Sequence, residues 1–227
     1  MSINEGSIYH INTKDFEIEN DTLRKFLGVS GWSKIEVPTG IRIVNRCAFN
    51  GCESLQTVVL PEGLKEIGDS AFNSCKNLQF VTIRKGLESI GECAFSDCSS
   101  LIQIDIPSTF RRIGEYAFDG CEFLQHIDLP EGIEEIPDCT FNGCRRLSDV
   151  KLPSTLRAIG DQAFYGIVHF QQIEVPPSVK QIGKLAFARC TNLKTVTINS
   201  AETYVEENAF QGCDNLKIIK AYKKRWF

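Results

Sequence analysis

The sequence lacks a long hydrophobic run, a strong excess of either charge and a visible export signal. No apolar run approaches the about 18–20 residues of a membrane-spanning helix, so we expect no membrane insertion. The 29 acidic residues slightly outnumber the 25 basic ones, which argues against a general nucleic-acid binder. The N-terminus carries neither a basic segment nor an apolar one, so no signal peptide is visible.

What the sequence does have is phenylalanine at a strict interval. Eight phenylalanines are each 23 residues apart, and alanine precedes seven of them. Cysteine follows three residues later in every unit except one, where Ile167 stands instead. A fixed period of this length is the signature of a repeat solenoid, in which stacked units bury one another's apolar residues. The phenylalanines are Phe49, Phe72, Phe95, Phe118, Phe141, Phe164, Phe187 and Phe210.

Each unit also predicts its own local structure. Val58 and Leu60 alternate with polar or outward positions before Pro61, which predicts a short strand that ends at the proline. The apolar residues of 69–75 fall on one face of a short helix or 3-10 turn, with Asp69 as its N-cap. The unit therefore predicts one strand followed by one helical turn.

The repeated unit reads L-x-x-V-x-L-P-x-x-L-x-x-I-G-x-x-A-F-x-x-C. This pattern resembles the BspA-like (Treponema pallidum type) leucine-rich repeat family. The resemblance implies an α/β repeat solenoid, a leucine-rich-repeat horseshoe with a parallel β-sheet on its concave face and short helical or 3-10 turns on its convex face. It also implies a role in protein recognition, often in adhesion at a cell surface.

We expect three segments along the chain. Residues 1–22 are out of register with the repeat and predict an N-terminal cap, with a helix from Asp21 through Leu27 at its end. Residues 23–222 form the solenoid of 23-residue units. Residues 223–227 form a C-terminal tail that covers the open end of the stack or, alternatively, offers a basic docking site.

The ten cysteines follow from the repeat rather than from a metal or disulfide framework. Seven lie in one column, and the other three are Cys47, Cys93 and Cys139. No arrangement of cysteines and histidines provides the four converging ligands of a zinc site, so we expect buried free thiols and neither metal nor cofactor. Free thiols and the missing signal peptide favour a cytoplasmic location, and a cell-surface or secreted location is the alternative if the sequence is trimmed.

No catalytic arrangement is recognisable in the sequence. The strict interval leaves no insertion to hold an active site, and the chain has three histidines and no P-loop, GxGxxG or HExxH motif. We therefore predict a protein that is not an enzyme.

Alternation along the strands places two rows of residues on the concave face. Most are polar, but Val59 and Phe80 are apolar, and Ile102 lies beside them where the next strand begins. We expect this exposed apolar group, flanked by acidic residues and a histidine, to bind a partner. The candidate site residues are Val59, Phe80, Ile102, Asp105, His126, Asp128 and Asp149.

The main functional hypothesis is a monomeric, non-enzymatic module that binds a protein or peptide on its concave sheet. Two alternatives stay open: a fragment of a cell-surface adhesin that binds host or matrix protein, and a structural spacer within a larger protein. A second, smaller patch lies on the turn that leads into the strands and consists of Phe123, Arg145, Arg146, Val168 and His169.

Overall fold

The computed structural model describes residues 13–28 and 32–220. These residues form a stack of coils built from turns and short strands, with one 3-10 helix at Thr13–Asp15. The strands are β1 (Phe16–Glu19), β2 (Thr22–Phe26), β3 (Lys34–Glu36), β4 (Ile43–Val44), β5 (Thr57–Val59), β6 (Glu66–Ile67), β7 (Phe80–Thr82), β8 (Ser89–Ile90), β9 (Gln103–Ile104), β10 (Arg112–Ile113), β11 (Glu135–Ile136), β12 (Ala158–Ile159), β13 (Gln172–Val175), β14 (Gln181–Ile182), β15 (Thr195–Ile198), β16 (Tyr204–Val205) and β17 (Lys217–Lys220).

The coils pair through two parallel ladders rather than the single sheet that the sequence predicts. In the first ladder, β3, β5, β7 and β9 pair one repeat apart, so that Thr57 and Phe80 are neighbours. In the second ladder, β4, β6, β8 and β10 pair by the same step and place Ile67 beside Ile90. In the repeats, the strands of the second ladder are only two residues long. A segment this short cannot show an alternating pattern in the sequence, so the second ladder was not predicted.

The predicted helical turns on the convex face are wrong, because the segment around each phenylalanine is a run of turns. In a helix the Phe72 amide would bond a carbonyl four residues back, but it donates to the carbonyl of the next coil at 2.8 Å. Ser70 and Ser74, on either side, have positive φ values of 52° and 58°, and such residues cannot continue a right-handed helix. Asp69 accepts a hydrogen bond from the Glu92 amide of the next coil at 3.0 Å instead of capping a helix.

The phenylalanine rings form the centre of the core. From Phe49 to Phe187, neighbouring rings of the repeat stack with centroids 4.7–5.6 Å apart and interplanar angles of 1–15°. The stack continues through Phe26 to Phe16 with centroid distances of 5.2 and 5.4 Å. Burial of one such side chain contributes about 1.5–3 kcal/mol, so this column is a main source of the stability of the stack.

The cysteine column lies beside the rings and also bonds one coil to the next. The Cys98 thiol donates to the carbonyl of Phe72 in the preceding coil at 3.1 Å, and that carbonyl also accepts the Cys75 amide. The cysteines are therefore hydrogen-bond donors as well as small apolar side chains, and all ten are free. The thiols that donate in this way are those of Cys75, Cys98, Cys121, Cys144, Cys190 and Cys213.

The two ends differ from the expectation in detail. The helix predicted from Asp21 is wrong, because 22–26 is strand β2, which pairs antiparallel with β1 and parallel with β4. Leu23 lies opposite Val44 and extends the second ladder. At the other end, Lys217 pairs with Thr195, where the repeat predicts Ile218. Residues 1–12 and 221–227, which hold much of the predicted caps, lie outside the described residues.

The second ladder is interrupted between β10 and β11. In other coils the amide at this position bonds the preceding coil, as from Gly114 to the Ile90 carbonyl at 2.8 Å and from Glu206 to the Ile182 carbonyl at 3.1 Å. Pro137 stands at this position and has no N–H to donate to Ile113. A Cβ at Gly114 would lie 2.4 Å from a backbone nitrogen of the preceding coil, so neighbouring coils approach closely at this position. A cavity of about 390 Å³ lies at the resulting gap.

The first ladder is interrupted one coil further along. Single bridges join the coils that follow β9, and within the described residues no bridge joins Asp149 to Gln172. The coil after this gap has Phe170 where the other units have leucine and Ile167 where they have cysteine. Phe170 is buried, and its ring is tilted by 46° against Phe164. We attribute the gap to this larger core side chain, which the neighbouring coil accommodates by moving away.

Candidate functional site

The candidate site residues follow the outward side of the first ladder. Parallel pairing brings Phe80, His126 and Asp149 into one row, with Gln103 between the first two. Ile102 directly precedes β9 and is half-buried. The remaining three belong to the adjacent row, two residues further along each strand or bridge: Val59, Asp105 and Asp128.

Val59 is not exposed as the sequence predicts. Its side chain is 5% exposed, although it points outward by alternation. Arg84 forms an ion pair with Glu36 at 3.2 Å, and these two residues belong to the coils on either side of the one that carries Val59. The long arginine side chain therefore spans the coil that carries Val59, and we attribute the burial of Val59 to it. Neighbouring coils decided this burial, and the strand pattern alone could not show it.

Phe80 keeps the exposure that the sequence predicts. Its side chain is 45% exposed on β7, between the polar Thr57 and Gln103. A large aromatic ring in a row of polar side chains is an informative exception on a sheet that faces water. Of the predicted apolar group, Phe80 is thus the exposed member, with the half-buried Ile102 beside it in the next coil.

The acidic residues and His126 are all exposed. Gln103 donates from its side-chain nitrogen to Asp105 Oδ1 at 2.7 Å. His126 Nε2 lies 3.2 Å from Asp128 Oδ1, so this pair lies within one coil rather than across coils. Within the described part of the chain, no three potential ligand side chains converge on a metal ion.

A groove that the sequence did not predict opens beside this row. Its volume is about 740 Å³, and it lies at the gap in the first ladder, between Asp149 and Gln172. Glu131 lies on its wall and accepts two hydrogen bonds from Ser154, at 3.1 and 2.9 Å, which lower the pKa of this carboxyl. The sequence signal was the replacement of leucine by Phe170, which marks the coil at which the stack opens.

Burial reduces the reactivity of several cysteine thiols, whereas the hydrogen bond with Cys190 lowers the pKa of the Cys213 thiol. Burial raises the pKa of the Cys52 thiol to about 12 and also raises the pKa of the Cys98 and Cys121 thiols. Protonated thiols are weak nucleophiles and weak metal ligands. Over residues 13–28 and 32–220, the structure has no helix with the length and apolar character needed to cross a membrane.

Strict repetition, short parallel strands and a stacked phenylalanine column define a solenoid of the leucine-rich-repeat class. The chain belongs to the family of the BspA type leucine-rich repeat region, of which six copies match residues 23–145 and 111–224. No protein among those with curated function matches the chain.

Solved structures share this fold, and two of them match most of this chain. A leucine-rich repeat protein of T. pallidum is 24% identical with a TM-score of 0.62, and the match covers 91% of this chain and 90% of that one. A leucine-rich repeat protein of Bacteroides ovatus is 24% identical with a TM-score of 0.50, over 95% of this chain and 69% of that one. At these identities the likeness concerns the fold alone.

Proposed function

We propose that this chain is a non-enzymatic module that recognises a protein or peptide on the outward side of its first ladder, the predicted concave face. The observation that carries this proposal is Phe80, which is 45% exposed in the middle of a polar row. An aromatic side chain of this kind is the usual anchor of a protein interface, because it buries a large area with little loss of conformational freedom. Membership of a leucine-rich repeat family, whose members are interaction modules in general, supports the same function.

The charges beside Phe80 favour a basic partner. From Asp105 to Glu174 the two outward rows carry four exposed carboxylates, those of Asp105, Asp128, Asp149 and Glu174, against one lysine, Lys151. The lysines Lys34 and Lys217 lie towards the two ends of the ladder. Opposite charge on a partner accelerates association and fixes its orientation. The groove at the end of this row offers a recess for one cationic side chain of the partner.

The strict interval between units supports a role without catalysis. Binding and catalytic residues are commonly carried on inserted loops, and the eight phenylalanines are evenly spaced with no insertion between them. Desolvation raises the pKa of the buried Cys121 and Cys144 thiols, which therefore stay protonated at neutral pH. Binding by a rigid surface requires neither a nucleophile nor a mobile loop.

Selection from a displayed library of random peptides, with the immobilised chain as bait, tests this function. We expect enriched peptides to be rich in lysine and arginine, and to lose affinity by on the order of tenfold with Phe80→Asp. Asp128→Lys is expected to weaken the same peptides, since it reverses one charge of the row. Tyr204→Asp is the matched control, because Tyr204 is 59% exposed on the second ladder.

The outcomes separate the alternatives. Peptides that bind the Phe80→Asp and Tyr204→Asp variants equally well would place recognition elsewhere and refute this proposal. A library without any enriched peptide would favour a structural spacer. Binding to a parallel library of host and matrix protein fragments, with no enrichment from the random library, would favour an adhesin.

A further inference from the structure

We infer that the chain has a second interaction surface, opposite in charge to the first, which binds an acidic peptide segment. This ridge patch consists of Phe123, Arg145, Arg146 and His169, on the turns that lead into the first ladder. Phe123 is 41% exposed, and the other three residues are exposed as well. The inference rests on these residues alone and does not depend on Phe80 or the acidic rows.

The column that holds Phe123, Arg146 and His169 has a structural task in other coils. It lies five residues after each core phenylalanine, and there Asn77 and Asn192 donate their side-chain N–H to a carbonyl of the preceding coil, both at 2.7 Å. His169 Nδ1 makes the equivalent contact at 2.8 Å, and since a carbonyl only accepts, Nδ1 carries the hydrogen. These side chains join one coil to the next.

Phe123 and Arg146 stand in the same column without performing this task. Their main-chain amides bond the preceding coil instead, from Phe123 to Ser99 at 3.3 Å and from Arg146 to Glu122 at 3.1 Å. Neither side chain is therefore needed for a hydrogen bond to the preceding coil, and both project outward. The fold therefore does not explain why an aromatic residue and an arginine stand in adjacent coils here.

The two side chains instead hold each other in place. The guanidinium carbon of Arg146 lies 4.0 Å from the centroid of the Phe123 ring, which is a close cation–π contact. Stacking on a ring fixes the plane of the guanidinium and leaves its N–H groups at the rim, where they can form two parallel bonds to a carboxylate. The arginine is thus preorganised for an anion before any partner arrives.

Within the described residues, the positive charge of the patch is only partly offset. None of the ion pairs among the described residues includes Arg145 or Arg146. Glu122 is the acidic residue beside them on the ridge, and it offsets one of the two charges. A peptide with carboxylates and an apolar side chain fits this combination, since its carboxylates pair with the arginines and its apolar group covers the exposed edge of Phe123.

An acidic peptide is favoured over a nucleic acid by the charge of the whole chain. The net charge of −4 repels a long polyanion, which extends well beyond a patch of two arginines. A short acidic segment makes the local contact without passing over the acidic rows of the first ladder.

Fluorescence anisotropy with a labelled peptide of alternating glutamate and leucine tests the inference on the full chain. We expect Arg146→Glu to weaken binding on the order of tenfold, and Arg146→Gln and Phe123→Ser to weaken it by a smaller factor. Arg112→Glu is the matched control with the same change in net charge, because Arg112 is exposed on β10 and forms no ion pair within the described residues. It is expected to change the affinity by less than about twofold.

Three results would overturn the inference. One is a wild-type chain that does not bind the peptide, and another is equal weakening by Arg146→Glu and Arg112→Glu, which would reflect net charge alone. The third is tighter binding of single-stranded DNA than of the peptide at equal salt. If Arg146→Glu abolishes this DNA binding, the patch is a nucleic-acid site.

Thermal unfolding of every variant by circular dichroism separates lost binding from lost folding. Retention of this binding by Phe80→Asp shows that the two surfaces act independently.

Discussion

The N-terminal and C-terminal coils have the same repeat but pair their strands differently. Up to β10, both ladders run without a break, whereas beyond it Pro137 interrupts the second ladder and a gap precedes β13 in the first. The turns around the phenylalanines are continuous across these steps: the Phe118 amide still bonds the Thr140 carbonyl at 2.9 Å. The phenylalanine and cysteine columns, which we call the spine, therefore hold the stack together where the strands separate.

This difference explains how a regular repeat acquires an irregular surface. A solenoid with perfect ladders presents a flat sheet, which offers little depth to a partner. Because the spine stabilises the stack, the strands of a ladder can separate with little loss in the free energy of unfolding. The groove of about 740 Å³ lies where the strands of the first ladder separate. Small changes in core residues, such as Phe170 for leucine, are then sufficient to shape a binding face.

Removal of one ring from the spine is expected to have the largest effect. Phe118→Ala eliminates a fully buried side chain that stacks on both neighbours, so we expect the free energy of unfolding to fall by about 3–5 kcal/mol. Phe80→Ala makes the same chemical change on the exposed row and is expected to cost less than about 1 kcal/mol. Urea denaturation followed by circular dichroism measures both, and equal losses would refute the distinction between spine and ladder.

Alkaline pH is expected to weaken the spine through its thiols. Burial raises the pKa of the Cys98, Cys121 and Cys144 thiols in the folded chain, whereas in the unfolded chain they ionise near pH of about 8.5. Above this pH the unfolded state binds fewer protons than the folded state. The free energy of unfolding therefore has its full value below about pH 8.5 and decreases above it, by about 1.4 kcal/mol per pH unit for each such thiol.

Cys121→Ala removes one buried thiol, so we expect the free energy of unfolding to decrease less steeply with pH, by the contribution of that one thiol. Cys47→Ala, which removes an exposed thiol instead of a buried one, is the control. Denaturant titrations between neutral and alkaline pH give the slopes. An unchanged slope in the Cys121→Ala chain would show that buried thiols do not control the alkaline stability.

Repair of the second ladder is expected to have the smallest effect. Pro137→Gly supplies the missing N–H to Ile113 and removes the ring that separates the coils. A hydrogen bond contributes about 0.5–1.5 kcal/mol, and the flexibility of glycine in the unfolded chain offsets part of it. Hydrogen exchange is therefore the better measurement, and we expect a protected amide at position 137. Pro153→Gly, outside this column, should leave exchange in β10 and β11 unchanged, and an unprotected amide at position 137 would contradict the model of the gap.

Much of the fold was predictable because repetition makes local signals reinforce one another. The core columns and the first set of strands follow directly from the step between Phe72 and Phe95. The helical turn was predicted wrongly because apolar spacing does not distinguish a helix from a run of turns in which every second amide bonds the next coil. The exposure of Phe80 was predictable from alternation, but the burial of Val59 depended on Arg84 reaching from a neighbouring coil.

The sequence by itself determined the period, the core residues and the membership of a leucine-rich repeat family, because each of these is written in every unit. Only the tertiary structure decided the second ladder, the gaps beside Pro137 and Phe170, and the contact of Arg146 with Phe123. These features arise between coils, from atoms one repeat apart in the chain that become neighbours in the stack. Their physical basis is the close spacing of parallel coils, at which a single proline, a larger ring or a long arginine changes what the neighbouring coil can do.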